Sequence, residues 1–469
     1  MLPLLLLGGL AVRLLFLWVG ADIYYHGRSP FFNNDSYSFT QSFYNLVTQG
    51  TYTFNPKNPD AAFGRLPGYP FFWGAHWLLF GDQYAYKAAA YTQVLLDTAA
   101  IYLVYATARA LTRDVRMAWV SALLYAGYPF IIVWLTMSGS EALGTFITIV
   151  IFWWLATRPV APATALGAGL LIGVALMIRE YLAVLLLAAV FWVYLSSGIN
   201  WRFLRLSAVV GVGFMLVYIG WPVRNYFGQH QLVLLKTRSA GYDRYADDVS
   251  SARQWIYGWT AEADPYLDGI AGLRPLPALP ADVLANPTEV RQFQLLLKQV
   301  RQCGTGFYAW RYAQMFPKTR QDCNAEIAAG FTALNDSYQR RFPWRYWTQV
   351  PFADLQRAFF KSQLRQANVA GGALSFGLFG YRSLLLLLSM AGAWLLRHRR
   401  SSWPIVFFFG FMYVFLCFGI RHLEIRYLLQ ADAAMLCLAG VPLVRLLDWL
   451  TRPKVLGLAA AVGAEGEGR

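Results

Sequence analysis

Three groups of ionisable residues interrupt the apolar stretches of this sequence, and they are where it could do chemistry. The first is Asn33-Asn34-Asp35-Ser36, followed by Gly64-Arg65-Leu66-Pro67-Gly68-Tyr69-Pro70. The second is Ser138-Gly139-Ser140-Glu141 together with Arg179-Glu180. The third is Arg421-His422-Leu423-Glu424-Ile425-Arg426-Tyr427, to which Arg224 in Trp221-Pro222-Val223-Arg224-Asn225-Tyr226 adds a further cation. Charge beside hydrocarbon is costly, so each group is a functional candidate. A carboxylate can serve as a general base, and an arginine can grip phosphate through its planar fork. Plain structural readings stand beside these. From the residues alone Asp35 is favoured as the N-cap of a following helix. Glu141 and Arg179-Glu180 read equally as an ion pair closing a helix corner, and the arginine and tyrosine of the third group as interfacial anchors. Asn34-Asp35-Ser36 also fits the N-glycosylation pattern, a match frequent by chance.

The elements that must position these groups are membrane helices. The chain has 469 residues, 57% hydrophobic, 17% aromatic and only 14% charged. Soluble domains carry about 25% charge, and this apolar surplus needs lipid to cover it. We read about ten spans of roughly 20 apolar residues, near 2–20, 84–111, 117–135, 142–156, 163–178, 181–196, 206–221, 381–396, 403–420 and 427–447. The first lacks a basic leader and a cleavage site, so it is expected to be a retained helix. The net charge of +15 does not point to nucleic acid, because arginines fall in short loops between spans. Arg109, Arg113, Arg116, Arg158, Arg202, Arg205, Arg397, Arg399, Arg400, Arg445, Arg452 and Lys454 all fall on one side, which is expected to be cytoplasmic with both termini.

The expected organisation is an N-terminal membrane module (1–222) whose first outer loop (21–83) carries a surface helix after Asp35, marked by Phe39, Phe43, Leu46 and Val47 and ended by Gly50. An extracytoplasmic, mainly helical domain (223–380) follows, then the last membrane helices (381–450) and a polar tail (451–469). Cys303 and Cys323 fall in the outer segment and could pair there. Cys417 and Cys437 lie in apolar spans and read as packing residues. Asp35 and Glu141 could ligate a divalent metal, though two unlinked carboxylates are weak evidence.

Taken in order, the outer-face Asp35, Arg65-x-Pro-Gly-Tyr-Pro, Ser140-Glu141, Arg179-Glu180, Trp221-Pro-x-x-Arg-Asn-Tyr and Glu424-x-Arg-Tyr form a familiar series. The chain resembles the bacterial GT-C glycosyltransferases related to protein O-mannosyltransferases and lipid A aminoarabinose transferases. The resemblance covers most of 2–447 and is weakest over 229–380. It implies an all-α polytopic GT-C fold in the bacterial inner membrane. The implied activity is inverting transfer of a sugar from a polyprenyl-phosphate donor to a protein, lipid or polysaccharide acceptor, with the active site extracytoplasmic. It implies Asp35 as the catalytic base and Arg426, Arg179, Arg224 and Arg65 as ligands of the donor phosphate. Glu141, Glu180, Glu424, His422, Tyr69 and Tyr427 would line the cavity. Two departures matter. Ser36 stands where the mannosyltransferases carry Glu, and Leu66 precedes Pro67 where the aminoarabinose transferases carry Lys. A transporter or lipid flippase is the main rival, for which Arg13 and Asp97 inside spans are the clearest candidates. A non-catalytic binder of polyprenyl lipids is the second.

Overall fold

The computed structural model describes residues 1–237, 241–242, 245–312, 322–360, 372–421 and 423–451. His422, and Arg452, Lys454 and the rest of the tail, lie outside the described residues. Every regular element among the described residues is helical.

Helix α1 (Leu2–Leu15) runs through a π-helical turn into α2 (Ala21–Tyr24). The expected surface helix is α3 (Asn34–Gln49), closed by Gly50 in the left-handed region. Helix α4 (Gly68–Thr112) breaks at Gly81, which separates a surface portion from the span. Helices α5 (Val115–Ala126), α6 (Pro129–Ile132), α7 (Ser140–Thr157), α8 (Pro162–Ile178), α9 (Leu185–Ser197), α10 (Trp201–Tyr218) and α11 (Gly220–Gln229) complete the first half. Between the two sets of spans follow α12 (Asp247–Ile256), α13 (Asp264–Ala271), α14 (Pro287–Gln302), α15 (Thr305–Tyr312), α16 (Asn324–Arg341) and α17 (Val350–Phe360). The chain then returns through α18 (Gly372–Leu395), α19 (Trp403–Val414) and α20 (Leu429–Thr451).

Eight helical stretches among the described residues are long and apolar enough to cross a membrane, and the shorter apolar helices α5 and α8 complete the expected ten. The third expected span, 117–135, departs from the reading. It is helical only to Ala126, because Gly127 and Pro129 end it. The segment that follows is buried and non-helical apart from α6. Its carbonyls are met by side chains: Gln93 Nε2 donates to Leu135 O at 2.8 Å and Tyr25 Oη to Val133 O at 2.7 Å. Irregular backbone at membrane depth is tolerated on such terms.

Two ion pairs lie sealed among the spans. Arg13 Nε meets Asp97 Oδ2 at 2.6 Å, with Tyr125 donating to the other carboxylate oxygen. Arg382 donates to Asp432 Oδ2 at 2.7 and 3.0 Å, while the Tyr413 and Tyr128 hydroxyls donate to the same carboxylate at 2.6 and 3.1 Å. A second core gathers in the intervening segment around Trp255, whose ring lies 5.3 Å from Phe293 and 5.6 Å from Phe331. A disulfide between Cys303 and Cys323, Cα–Cα 5.4 Å, ties the end of α14 to the start of α16. Buried Asp248 caps α15 by accepting from the Gly306 and Phe307 amides at 3.1 and 3.2 Å. Burial pushes its carboxyl up to about 6.

Helices α7 and α20 both begin near the candidate groups, at Ser140 and Leu429, and run to the opposite end. There Arg116 pairs with Asp448 at 2.7 Å and Arg202 donates to Val160 O at 3.2 Å. The arginine-rich loops and the candidate site are thus at opposite ends of the helices.

Candidate active site

Asn33, not Asp35, caps the surface helix. Its side chain accepts from the Ser36 amide at 2.9 Å while Ser36 Oγ accepts from the Asn33 amide at 3.1 Å. This corrects the N-cap reading of Asp35, because the helix starts two residues earlier than that reading places it. Asp35, in the first turn, directs its carboxylate at cations. Its Oδ2 accepts from Arg426 Nη1 at 2.7 Å, and its Oδ1 lies 4.0 Å from Arg65 Nη2. The side chain remains 43% exposed, so a substrate can reach it. Burial alone would raise the carboxyl, but Arg426 and then Arg65 outweigh it and hold the group below its ordinary value.

Arg426 is the hub. Besides Asp35 it pairs with Glu424, and its Nη1 lies 3.7 Å from Glu141 Oε1. Asp35 and Glu141, the two carboxylates that could ligate a metal, therefore share a guanidinium. No group of three His, Cys, Asp or Glu suited to a metal occurs among the described residues. Glu141 in turn meets Arg179 at 2.9 Å. The ion-pair reading of that corner and its cavity reading coincide, since Arg179 also faces an open cavity.

That cavity, of about 200 Å³, is lined by Arg65, Arg179, Lys236, Glu180, Ser140, Tyr181 and Tyr427, with Phe39, Leu66, Ile178, Leu416 and Ile420 as apolar walls. Arg65 and Arg179 join it to the Asp35 cluster. Arg65 is fixed by Ser38 Oγ, which accepts from its Nε at 2.7 Å, and by stacking 4.0 Å over Phe39. Gly68 brings Arg65 beside Arg179: a Cβ there would lie 2.6 Å from the Met177 and Ile178 backbone at the end of α8. Arg179 sits 5.0 Å from the Tyr181 ring centre and 5.3 Å from that of Tyr427. Ser140 opens α7, whose start has no side-chain cap among the described residues, and a helix N-terminus favours an anion. The carboxylates of Asp35, Glu141, Glu180 and Glu424 face Arg65, Arg179, Lys236 and Arg426, so the cluster is close to neutral as it stands.

Several expectations need correction. Arg224 is absent from the cavity lining: its Nη1 donates to Ala62 O at 2.9 Å and its Nη2 to Tyr52 O at 2.7 Å. Its guanidinium is spent on clamping the first loop. Tyr69 is fully buried against Phe39, ring centres 5.2 Å apart, and is absent from the cavity lining. Glu424 reaches the site through Arg426 and is likewise absent from the lining. His422 lies outside the described residues.

Lys236 is the residue that sequence reasoning missed. It ends a strap whose carbonyls at Val233, Leu234 and Leu235 accept from Asn225 Nδ2, Tyr218 Oη and Trp221 Nε1 at 2.7, 2.9 and 2.7 Å. The Trp-Pro-x-x-Arg-Asn motif is thus a bracket that delivers Lys236 to Glu180 and the cavity. A lysine closing the apolar run Leu232–Leu235 was the available signal.

Comparison with known proteins accords with this architecture. Residues 58–223 match the dolichyl-phosphate-mannose-protein mannosyltransferase family. An Archaeoglobus fulgidus oligosaccharyltransferase tethered to an acceptor peptide aligns at TM-score 0.51 and 13% identity, over 96% of this chain and 50% of that one. The oligosaccharyltransferase AglB from Archaeoglobus fulgidus, with an inhibitory peptide and a dolichol-phosphate, aligns at TM-score 0.49 and 14% identity, over 100% and 52%. ArnT from Cupriavidus metallidurans bound to undecaprenyl phosphate aligns at TM-score 0.40 and 14% identity, over 94% and 78%. The chain spans about half the length of the archaeal structures it matches. No curated protein sequence matches it. The likeness to the archaeal enzyme shows a shared fold, and the family match is confined to residues 58–223.

Proposed function

We propose that this chain transfers a sugar from a polyprenyl-phosphate donor to an acceptor at the outer face of the membrane. The single observation that carries the reading is the cavity of Arg65, Arg179, Lys236 and Ser140 adjoining the exposed carboxylate of Asp35. A phosphate leaving group needs little acid help; it needs fixed positive charge where its own charge develops, in a partly dry hollow. Arg179 and Arg65 supply planar forks there, Lys236 a mobile point charge, and the start of α7 its amide dipoles.

In the transfer step the acceptor hydroxyl or amine attacks the anomeric carbon and its proton passes to Asp35. The anomeric C–O bond breaks with its electron pair leaving on the polyprenyl phosphate, and the single displacement inverts the anomeric centre. Arg426 holds Asp35 deprotonated and aimed, and Glu141 and Glu424 hold Arg426. Tyr181 and Tyr427 offer faces for a sugar ring. The active site is extracytoplasmic in a bacterial inner membrane, with the arginine-rich loops and both termini in the cytoplasm.

The test is chromatographic detection of sugar transfer from a polyprenyl-phosphate donor by the purified protein in bilayer discs. Transfer lost in Asp35→Asn with the melt unchanged is the expected result. Absence of transfer across donor and acceptor classes by the intact protein removes the reading. The transporter rival calls for ionisable pairs within the spans, and Arg13–Asp97 and Arg382–Asp432 are such pairs. The carboxylate of each accepts from neighbouring tyrosine hydroxyls and neither pair lines the cavity, which favours reading them as staples.

A further inference from the structure

The residue that ends the last outward span is an arginine where the backbone calls for glycine. Helix α19 passes into the π-helical turn Phe415–Ile420 and stops at Arg421, whose φ of 56° lies in the left-handed region. Such positions usually hold glycine, and another residue there carries strain of about 1–2 kcal/mol. The side chain adds a second cost. Arg421 is only 7% exposed, and neither terminal nitrogen of its guanidinium has a hydrogen-bond partner among the described residues. A buried cation without hydrogen bonds persists only where something else holds it.

What holds it belongs to the outer helical core. The guanidinium lies 4.0 Å from the centre of the Tyr346 ring and 4.8 Å from that of Trp347. Both rings stand on the π-helical turn Arg345–Gln349, and Tyr346 is itself a member of the outer core. Cation–π contact with a desolvated guanidinium contributes up to about 2 kcal/mol. Burial draws the Arg421 guanidinium below its ordinary value, and Tyr346 and then Asp354, wholly buried on α17, work against that loss. The contact continues along α17, where the Phe352 ring packs edge-on against Phe418 at 5.3 Å. Three residues beyond Arg421 stands Glu424, and five beyond stands Arg426, which meets Asp35 at 2.7 Å.

We propose that Arg421 is a positioning residue: through its seat between Tyr346 and Trp347, the outer helical core sets the loop that aims Arg426 at Asp35. Arg421 touches neither donor nor acceptor. It converts the placement of the outer core into the register of the catalytic hub. Loops that must place a reacting group within a fraction of an ångström need a rigid anchor, and a shift of about 1 Å lowers turnover by roughly 10²-fold. This inference rests on the transferase reading above for its kinetic arm alone.

The decisive variant is Arg421→Gly. Glycine suits the left-handed backbone, so a residue that merely ended the helix would be improved by it, with equal or higher melting temperature and undiminished turnover. The positioning role predicts an undiminished melt, kcat lowered by about 10–100-fold, and donor KM changed less than threefold. Arg421→Lys, which keeps the cation over the rings, restores part of kcat. Tyr346→Leu with Trp347→Leu reproduces the defect, and combining them with Arg421→Gly adds nothing further. Hydrogen exchange over 423–428 reads the same coupling without catalysis. Faster exchange there in Arg421→Gly, with the outer helices unchanged, supports the proposal. Unchanged exchange and wild-type kcat overturn it while leaving the transferase reading intact. A wild type that transfers nothing removes that reading, and the exchange measurement alone then decides whether Arg421 orders the loop.

Discussion

The Arg382–Asp432 pair and the Arg426–Asp35 pair use the same two residue types at the same 2.7 Å separation, yet they have opposite characters. Asp432 is 1% exposed and accepts from Arg382 and two tyrosine hydroxyls, so its lone pairs are taken. Asp35 is 43% exposed on its side chain and lies between Arg426 and a more distant Arg65. Arg426 itself is divided among three carboxylates. A saturated, sealed pair can only hold helices together. An open one with shared partners can exchange a proton and admit a substrate. Residue type does not separate structure from chemistry here; saturation and access do.

The comparison breaks most visibly at Asp35. Asp35→Asn is expected to lower transfer by about 10²–10⁴-fold, the usual contribution of a general base. Its melting temperature should stay put, because Asn33 and Ser36 cap the helix. A parallel loss of stability would make Asp35 a structural residue like Asp432.

The sealed pair should behave in reverse. Arg382→Met leaves Asp432 buried and unpaired and is expected to destabilise the protein by about 3–5 kcal/mol, while the folded fraction retains its turnover. Replacing both partners with apolar residues should cost less than either single change. Thermal melts in discs, paired with specific activity, test this; reduced activity in fully folded Arg382→Met would move the pair into the site.

Within the open cluster, Lys236→Ala is expected to raise donor KM about tenfold, as loss of one charge-assisted contact would. Arg224→Lys should leave donor use unchanged, since that guanidinium clamps loop carbonyls. Donor titrations of the two variants distinguish cavity from clamp.

The smallest effect is in pH. Asp35 must be deprotonated to act, and Arg426 and Arg65 hold its carboxyl below the ordinary value against burial. Turnover should therefore persist as pH falls through the ordinary aspartate range and decline only below it. Removing the cation in Arg426→Gln leaves burial unopposed by its largest partner. The residual acid limb should move to higher pH, and an unmoved limb would mean that another group titrates.

Much of this was readable along the chain because hydrophobicity is a local property. Eight long spans, the surface helix α3 with its glycine stop, and the outer helix α14 follow from windows of residues taken alone. Asp35, Arg65, Glu141, Arg179 and Arg426 were also recognisable as charges beside hydrocarbon, which the bilayer makes costly wherever they occur. The break after Ala126 was less visible: a buried irregular segment is as apolar as a helix, and only Gln93 and Tyr25 from other helices make it tolerable.

Partnership was beyond reach of the order of residues. Asp35 and Arg426 stand 391 positions apart, Arg13 and Asp97 84, Arg382 and Asp432 50. Arg224 and Arg426 look alike in sequence, yet one is spent on the Tyr52 and Ala62 carbonyls while the other commands the carboxylates. A side chain's type is set by its codon, and its environment by helices that meet from distant parts of the chain. Those meetings determined which charges are saturated, which remain open, and where the cavity lies between them.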